Sequence, residues 1–181
     1  MAQMSYIALL KGVNVGGNNL LPMTELRMIA ESLNWDNVQT YIQSGNLVFT
    51  SKNSDTAYMQ TALINAIMAA KGFAQHTRII SDKQLDDMIN ANPFDVPLDA
   101  GNKLHLMVSL DHNLTIDMTA VDAVRIDSEK FEIVNDVAYL YAPDGVGRSK
   151  LFAKLPKLLS QDVTARNYKT ILKLQALSEQ I

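Results

Sequence analysis

Short apolar runs alternate along the chain with stretches that repeat apolar residues every three or four positions. Ser5–Leu10 is almost wholly apolar and is followed by glycines, which predicts a buried strand. One amphipathic stretch in the first half begins after Asp55 and ends before Gly72. Aspartate favours the start of a helix and glycine favours its end. The elements that follow the first strand are predicted as a helix over 23–33, strands over 37–42 and 47–51, a helix over 55–71 and a strand over 76–80. This order, βαββαβ, is that of a ferredoxin-like unit.

The second half repeats this order in its pattern. Lys103–Leu110 alternates, which places His105 on the side away from the apolar face, as a surface or groove histidine. The later elements are predicted as a helix over 117–124, strands over 130–134 and 137–141, a helix over 149–160 and a strand over 163–166, with extra helices over 82–90 and 167–178. We therefore predict an α+β fold of two tandem ferredoxin-like (βαββαβ) units, each followed by an extra helix, with domains at 1–91 and 92–181.

Composition narrows the class of protein. With 181 residues, 48% of them hydrophobic, the chain can bury a sizeable core, and the absence of cysteine excludes disulfides, thiolate zinc sites and cysteine nucleophiles. The N-terminus lacks a signal-peptide pattern, and no run of about 18 apolar residues occurs. We expect a cytoplasmic protein without a membrane span.

Charge is distributed unevenly, although the net charge is only −3. Residues 82–147 hold 13 acidic and 4 basic residues, a net charge of −9, whereas residues 148–173 hold 7 basic and 1 acidic residue, a net charge of +6. Such asymmetry points to an anionic partner of the basic segment or to pairing between the two segments.

The basic residues of this segment follow helical spacing. One stripe is Lys150, Lys154 and Lys157, at i, i+4 and i+7; the other is Arg166, Lys169 and Lys173, at i, i+3 and i+7. Lysine and arginine supply most protein contacts to phosphate, so the two stripes predict a polyanion as partner. The alternatives are a solvated helix surface, or pairing with the acidic segment within the chain or across a homodimer.

A smaller anion site is predicted at the start of the same segment. Arg148, Ser149 and Lys150 follow two glycines at a strand-to-helix junction, where backbone N–H groups attract anions. Ser149 is also a natural N-cap, and that role alone is sufficient to explain it.

Two blocks of small polar residues follow or precede apolar strands in the first half. In the first block, the candidate ligand-binding residues are Lys11, Gly12, Asn14, Gly16, Gly17 and Asn18; in the second they are Gln43, Ser44 and Asn46. Neither block contains GxxxxGK[ST] or GxGxxG, so a phosphate loop is disfavoured. The alternative is that glycine and asparagine serve turns with positive φ. In a βαββαβ unit the first and third strands are antiparallel neighbours, so Lys11–Asn14 and Ser44–Asn46 are expected to form one site.

Several segments also resemble a known family. The chain resembles the bacterial domain-of-unknown-function family numbered 1697 in YIALLKGVNVGGNN (6–19), MTELR (23–27), TYIQSGN (40–46), NPF (92–94), GRSKL (147–151) and TARNY (164–168). Two departures are mild, since Lys11 replaces a frequent arginine and Tyr168 a frequent tryptophan. The resemblance implies a cytoplasmic α+β protein and implies no activity.

Catalytic and metal-binding patterns are absent from the sequence. The three histidines show no HxH or HExxH spacing, and there is no GxSxG. We therefore expect no metal or cofactor and favour a non-catalytic binding module for an anionic ligand, nucleic acid or nucleotide. One alternative is a small enzyme for a phosphorylated small molecule, held by Lys11, Arg148 or Lys150. The other is a homo-oligomeric interaction protein with pairing acidic and basic regions.

Overall fold

The computed structural model describes residues 3–181, apart from the side chain of Leu98. The chain forms two compact units, one made of the chain up to Asp87 together with Lys173–Ile181, the other of Met88–Leu172. The predicted domain boundary between residues 91 and 92 stays a prediction.

Each unit contains one four-stranded antiparallel sheet, and the described residues form six α-helices in all. The elements are, in chain order, β1 Met4–Leu10, α1 Met23–Ser32, β2 Asp36–Thr40, β3 Asn46–Ser51, α2 Thr56–Lys71, β4 Thr77–Ser81, α3 Asp82–Asn90, β5 Leu104–Ser109, α4 Met118–Asp122, β6 Lys130–Val134, β7 Val137–Tyr141, α5 Lys150–Leu158, β8 Val163–Asn167 and α6 Tyr168–Ser178. The sheet orders are β2-β3-β1-β4 and β6-β7-β5-β8. The predicted α+β class and the two similar units are confirmed.

Helix ends follow the predicted capping residues. The Asp55 carboxylate accepts a hydrogen bond from the Tyr58 N–H at 2.9 Å and so satisfies a donor that α2 cannot pair internally. Gly72 takes φ +76° at the other end, and its N–H donates to Met68 O. At α5, the Ser149 hydroxyl oxygen accepts from the Phe152 N–H at 2.9 Å.

The first unit packs α1 and α2 on one face of its sheet. Trp35 stacks on Phe49 with 3.9 Å between ring centroids and 9° between planes, and both rings are buried in this core. The buried residues of this cluster include Tyr6, Ala8, Leu10, Leu26, Ala30, Leu47, Met59, Leu63 and Ile67. Ile7 and Leu9, on the opposite face of β1, are also fully buried. Burial on both faces explains why β1 is a continuous apolar run.

The second unit places α4 and α5 against the corresponding sheet. Its core cluster includes Met107, Val121, Phe131, Ala138, Leu140, Leu151 and Leu155. His105 lies on the same face of β5 as Met107 and is half-buried, with its ring edge-on to Phe152 at 5.4 Å. The predicted surface or groove position of His105 therefore needs correction, because a strand period shows which residues share a face and not what covers the other face.

Candidate functional site

The strand pairing brings the two polar blocks together. In the antiparallel β1–β3 pair, Leu9 lies opposite Asn46, and the Leu10 N–H donates to Gly45 O at 2.9 Å. The end of β1 therefore meets the start of β3, as the predicted strand order requires.

Side-chain hydrogen bonds of Asn14 link the first block to the second. Its Nδ2 donates to Leu21 O and to Gln43 O, each at 2.9 Å, and its Oδ1 accepts from the Leu21 N–H at 2.8 Å. Asn14 has φ +56°, a left-handed conformation that asparagine tolerates better than most residues. Since both amide hydrogens are used within the protein, Asn14 has a structural role.

The glycines of the first block form an exposed turn. Gly16 and Gly17 have φ +57° and +79° between the bridged residues Val15 and Asn18, and the Asn18 N–H donates to Val15 O at 3.0 Å. Two consecutive positive φ values are typical of a type I′ hairpin turn, which glycine accommodates without strain. Gly12, with φ +65°, is also exposed.

The second block is likewise built around internal hydrogen bonds. Asn46 is completely buried, and its Nδ2 donates to Tyr41 O at 3.0 Å and to Ser44 Oγ at 2.9 Å. Gly45 has φ +74° and lies against Leu10 and Val13. Ser44, Gly45 and Asn46 are therefore explained by the turn.

Other side chains of the two blocks remain at the surface. Gln43 is exposed, and Lys11 is half-buried with its N–H donating to His76 O at 2.9 Å. Ile42, which the sequence analysis did not single out, is 49% exposed and has φ +48°, an outlier for a β-branched residue. The sequence carries no signal for it, because isoleucine is common in strands.

We expect Asn14→Ala to lower the free energy of unfolding by about 2–4 kcal/mol, because it removes three hydrogen bonds and leaves backbone groups unpaired. The measurement is urea unfolding followed by circular dichroism. The control is Asn18→Ala in the same loop, which we expect to change stability by less than about 0.5 kcal/mol because Asn18 is exposed. Equal effects of the two substitutions would contradict the claim that the hydrogen bonds of Asn14 hold the two blocks together.

In the second unit, three predicted basic residues line one groove. Arg148, Lys150 and Lys154 are all exposed and face a cavity of about 360 Å³. Arg148 precedes the N-cap of α5, Lys150 is its first residue, and Lys154 lies one turn later. We call this cavity the α5 groove. Lys157, also exposed, lies further along α5.

The other side of the α5 groove comes from the α4–β6 connection. It is lined by Ala123, Val124, Ile126 and Glu129. Glu129 is 4% exposed, and its Oε2 accepts from the Ile126 N–H at 3.3 Å. Sequence reasoning missed these residues, because nothing in their spacing relates them to α5.

The second predicted stripe does not lie on one helix, because Arg166 falls in the strand that the sequence also predicts over 163–166. Arg166 belongs to β8 and is 6% exposed, with Nη1 donating to Thr164 Oγ1 and to Ala165 O at 2.8 Å each. Burial lowers the pKa of Arg166 to about 10. The helix begins after it, at Tyr168, so only Lys169 and Lys173 lie exposed on α6, four residues apart. The spacing of three and seven residues fits a helix but does not establish one.

Asp136, at the β6–β7 turn, holds the loop that follows β5. Its Oδ2 lies 2.8 Å from His112 Nδ1, and its Oδ1 accepts from the Asn113 N–H at 2.8 Å and from the Leu114 N–H at 3.4 Å. The hydrogen bond with His112 is the main cause that lowers the pKa of Asp136 below its ordinary value of 3.8, while burial opposes it. The carboxylate form is thus favoured in the folded state.

This lowered pKa predicts a dependence of stability on pH. The contribution of Asp136 is complete above its unfolded pKa of 3.8 and is lost as pH falls through the lower folded pKa. We expect the difference in unfolding free energy between wild type and Asp136→Asn to narrow as pH falls from about 4 through the lower folded pKa of Asp136. Urea unfolding at a series of pH values measures it, and a difference that widens in acid would contradict the assignment.

Within residues 3–181, no group of three or more His, Asp or Glu side chains is arranged to hold a metal ion. None of the helices in this range is both long enough and apolar enough to cross a bilayer.

Comparison with known proteins places the chain in a family. No curated protein matches it. Among solved structures it is similar to the conserved bacterial protein SP0830 from Streptococcus pneumoniae, with 22% identity and a TM-score of 0.71 over 98% of this chain and 99% of that one. At this identity the likeness shows the fold alone. The profile of the family described as "Protein of unknown function (DUF1697)" matches residues 4–139, and the chain belongs to this family.

Proposed function

We propose that the chain is a non-catalytic binding module for an anionic ligand, nucleic acid or nucleotide, which it holds in the α5 groove. The observation that carries the proposal is the convergence of Arg148, Lys150 and Lys154 on one cavity of about 360 Å³. This volume falls within the range of roughly 300–1,000 Å³ typical of small-ligand sites.

The chemistry of the groove favours phosphate. Arg148 can donate two parallel hydrogen bonds to phosphate oxygens, while Lys150 and Lys154 supply point charges. The N-terminus of α5 adds a favourable dipole, since the first N–H groups of a helix carry partial positive charge. Glu129, in the same lining, offsets part of this positive potential.

The two polar blocks of the first unit are weaker candidates for ligand binding than the α5 groove. The amide groups of Asn14 and Asn46 are used within the protein, so we assign these residues to loop conformation. Gln43 and Asn18 are exposed and remain candidates for polar contacts to a ligand.

The finer assignment of the fold is also a proposal. We propose that each unit is ferredoxin-like, supported by the element order βαββαβ and by the sheet orders β2-β3-β1-β4 and β6-β7-β5-β8. We propose a cytoplasmic location on the basis of the family resemblance.

The test uses the full chain with two labelled probes, a short single-stranded oligonucleotide and a fluorescent ATP analogue. We expect both to bind at low salt and Lys150→Glu to weaken binding about fivefold, since one phosphate contact of about 1 kcal/mol is lost. The control is Lys169→Glu, which makes the same charge change on α6 outside the α5 groove. If neither probe binds, or if the two variants behave alike, the proposal fails.

Two further outcomes would favour the alternatives. Release of phosphate from a phosphorylated substrate, abolished by Lys150→Glu, would identify an enzyme and overturn the non-catalytic assignment. Dissociation of a dimer by Lys150→Glu, with probe affinity unchanged, would instead identify pairing of acidic and basic regions between subunits.

A further inference from the structure

The edge of the second sheet formed by β6 has no strand beside it among residues 3–181. β6 pairs with β7 alone, from Lys130 opposite Tyr141 to Val134 opposite Val137. Alternate residues of an antiparallel edge strand direct their N–H and C=O groups away from the sheet. These groups form a template for one further strand.

A groove runs beside this edge. It has a volume of about 410 Å³ and is lined on one side by Phe131, Glu132 and Ile133 of β6 and on the other by Leu114, Thr115, Ile116 and Met118. Most of the lining is apolar, and Met118 in it is 44% exposed. We call this the β6 groove; it shares no lining residue with the α5 groove.

Two acidic residues and one basic residue lie near the β6 groove. Glu132 is exposed and lines the groove, Asp117, exposed at the start of α4, directly precedes Met118, and Lys130, also exposed, begins β6. All three belong to the segment 82–147, which has 13 acidic and 4 basic residues. An occupant with basic side chains is therefore favoured over an acidic or neutral one.

We propose that the β6 groove binds an extended peptide segment of a partner protein, with alternating aliphatic and basic side chains, by addition of a strand to β6. In this mode the main-chain hydrogen bonds give affinity and the pockets for alternate side chains give specificity. The aliphatic side chains pack between Ile133 and Met118, and the basic ones lie near Glu132 and Asp117.

A second copy of the chain is the competing occupant. A symmetric dimer places the same surface on both sides of its interface, so a β6–β6 pair centred on Glu132 would set two carboxylates opposite each other, which is destabilising. A pair centred on Phe131 would instead set Lys130 of one copy opposite Glu132 of the other, and the oligomeric state is therefore part of the test.

The test is binding of a fluorescein-labelled Lys-Val-Lys-Ile-Lys peptide to the full chain, measured by fluorescence anisotropy. We expect Glu132→Lys to weaken binding about tenfold, because it reverses the charge beside the peptide. Glu179→Lys, which makes the same charge change near the C-terminus, is expected to leave the affinity within about twofold. A peptide with Glu in place of each Lys should bind at least about tenfold more weakly.

A second probe distinguishes strand addition from simple charge attraction. The same peptide, N-methylated at alternate residues, keeps its charges but cannot donate main-chain hydrogen bonds, and we expect it to lose binding. The proposal is overturned if the unmodified peptide does not bind, if the N-methylated and unmodified peptides bind equally, or if Glu132→Lys has no effect on binding. A dimer in sedimentation that Glu132→Lys converts to monomer would also overturn it, because the occupant would then be a second copy.

Discussion

Gly45→Ala is expected to lower the free energy of unfolding by roughly 2–5 kcal/mol. A Cβ at this position would lie 2.6 Å from Val13 Cγ2 and 2.8 Å from Leu10 Cβ, closer than atoms in van der Waals contact. Overpacking of this kind costs about 1–3 kcal/mol, and the left-handed φ of +74° adds about 1–2 kcal/mol for a residue with a Cβ. The measurement is equilibrium unfolding in urea.

Gly72→Ala provides a matched control. Gly72 has φ +76°, nearly the same as Gly45, but a Cβ there would meet no atom within 4 Å. The substitution should therefore cost only the backbone term, about 1–2 kcal/mol. If the two variants are equally stable, the turn at Gly45 does not depend on close contact with the end of β1, and the joining of the two polar blocks is misassigned.

The combined substitution Arg148→Glu, Lys150→Glu and Lys154→Glu is expected to weaken binding of the labelled oligonucleotide on the order of a hundredfold. Three contacts to phosphate are removed, each contributing about 1 kcal/mol in an exposed groove, and about 1.4 kcal/mol corresponds to a tenfold change in affinity. Fluorescence anisotropy at low salt measures the change. Stability should hardly change, because all three side chains are exposed.

The control for this variant reverses three other lysines. Lys157→Glu, Lys169→Glu and Lys173→Glu together alter the net charge by the same amount and also lie on exposed positions of α5 and α6. We expect this variant to retain affinity within about threefold, through long-range charge alone. Equal losses in the two variants would show that net charge, and not the α5 groove, controls binding.

Much of the fold could be predicted from local pattern. The apolar run of β1 predicts a buried strand because both of its faces are buried, and Asp55 and Gly72 predict the ends of α2 because helix termini need such partners. The meeting of Leu9 and Asn46 follows from the antiparallel pairing of β1 and β3.

Other features depend on contacts between distant residues. The spacing of Arg166 relative to Lys169 fits a helical stripe, although the sequence also predicts a strand over 163–166. The fold shows that Arg166 belongs to this strand and is buried. The strand period of β5 says nothing about Phe152, which covers His105.

The candidate site likewise combines features that the local sequence predicts with features that depend on contacts between distant residues. Glycine and asparagine in the two blocks predict positive φ, but the hydrogen bond from Asn14 to Gln43 O spans 29 residues and leaves no local signal. Lys150 and Lys154 could be placed on one helix face from their spacing, whereas Glu129 joins them only through the packing of the α4–β6 connection.

The salt dependence of oligonucleotide binding tests the central claim most directly. With three phosphate contacts from the α5 groove, log affinity should fall with log salt concentration with a slope of about −2, and the Arg148, Lys150 and Lys154 triple variant should lose most of that slope. A slope near zero in the wild type, or a slope that the triple variant keeps, would contradict the assignment of the α5 groove as an anion-binding site.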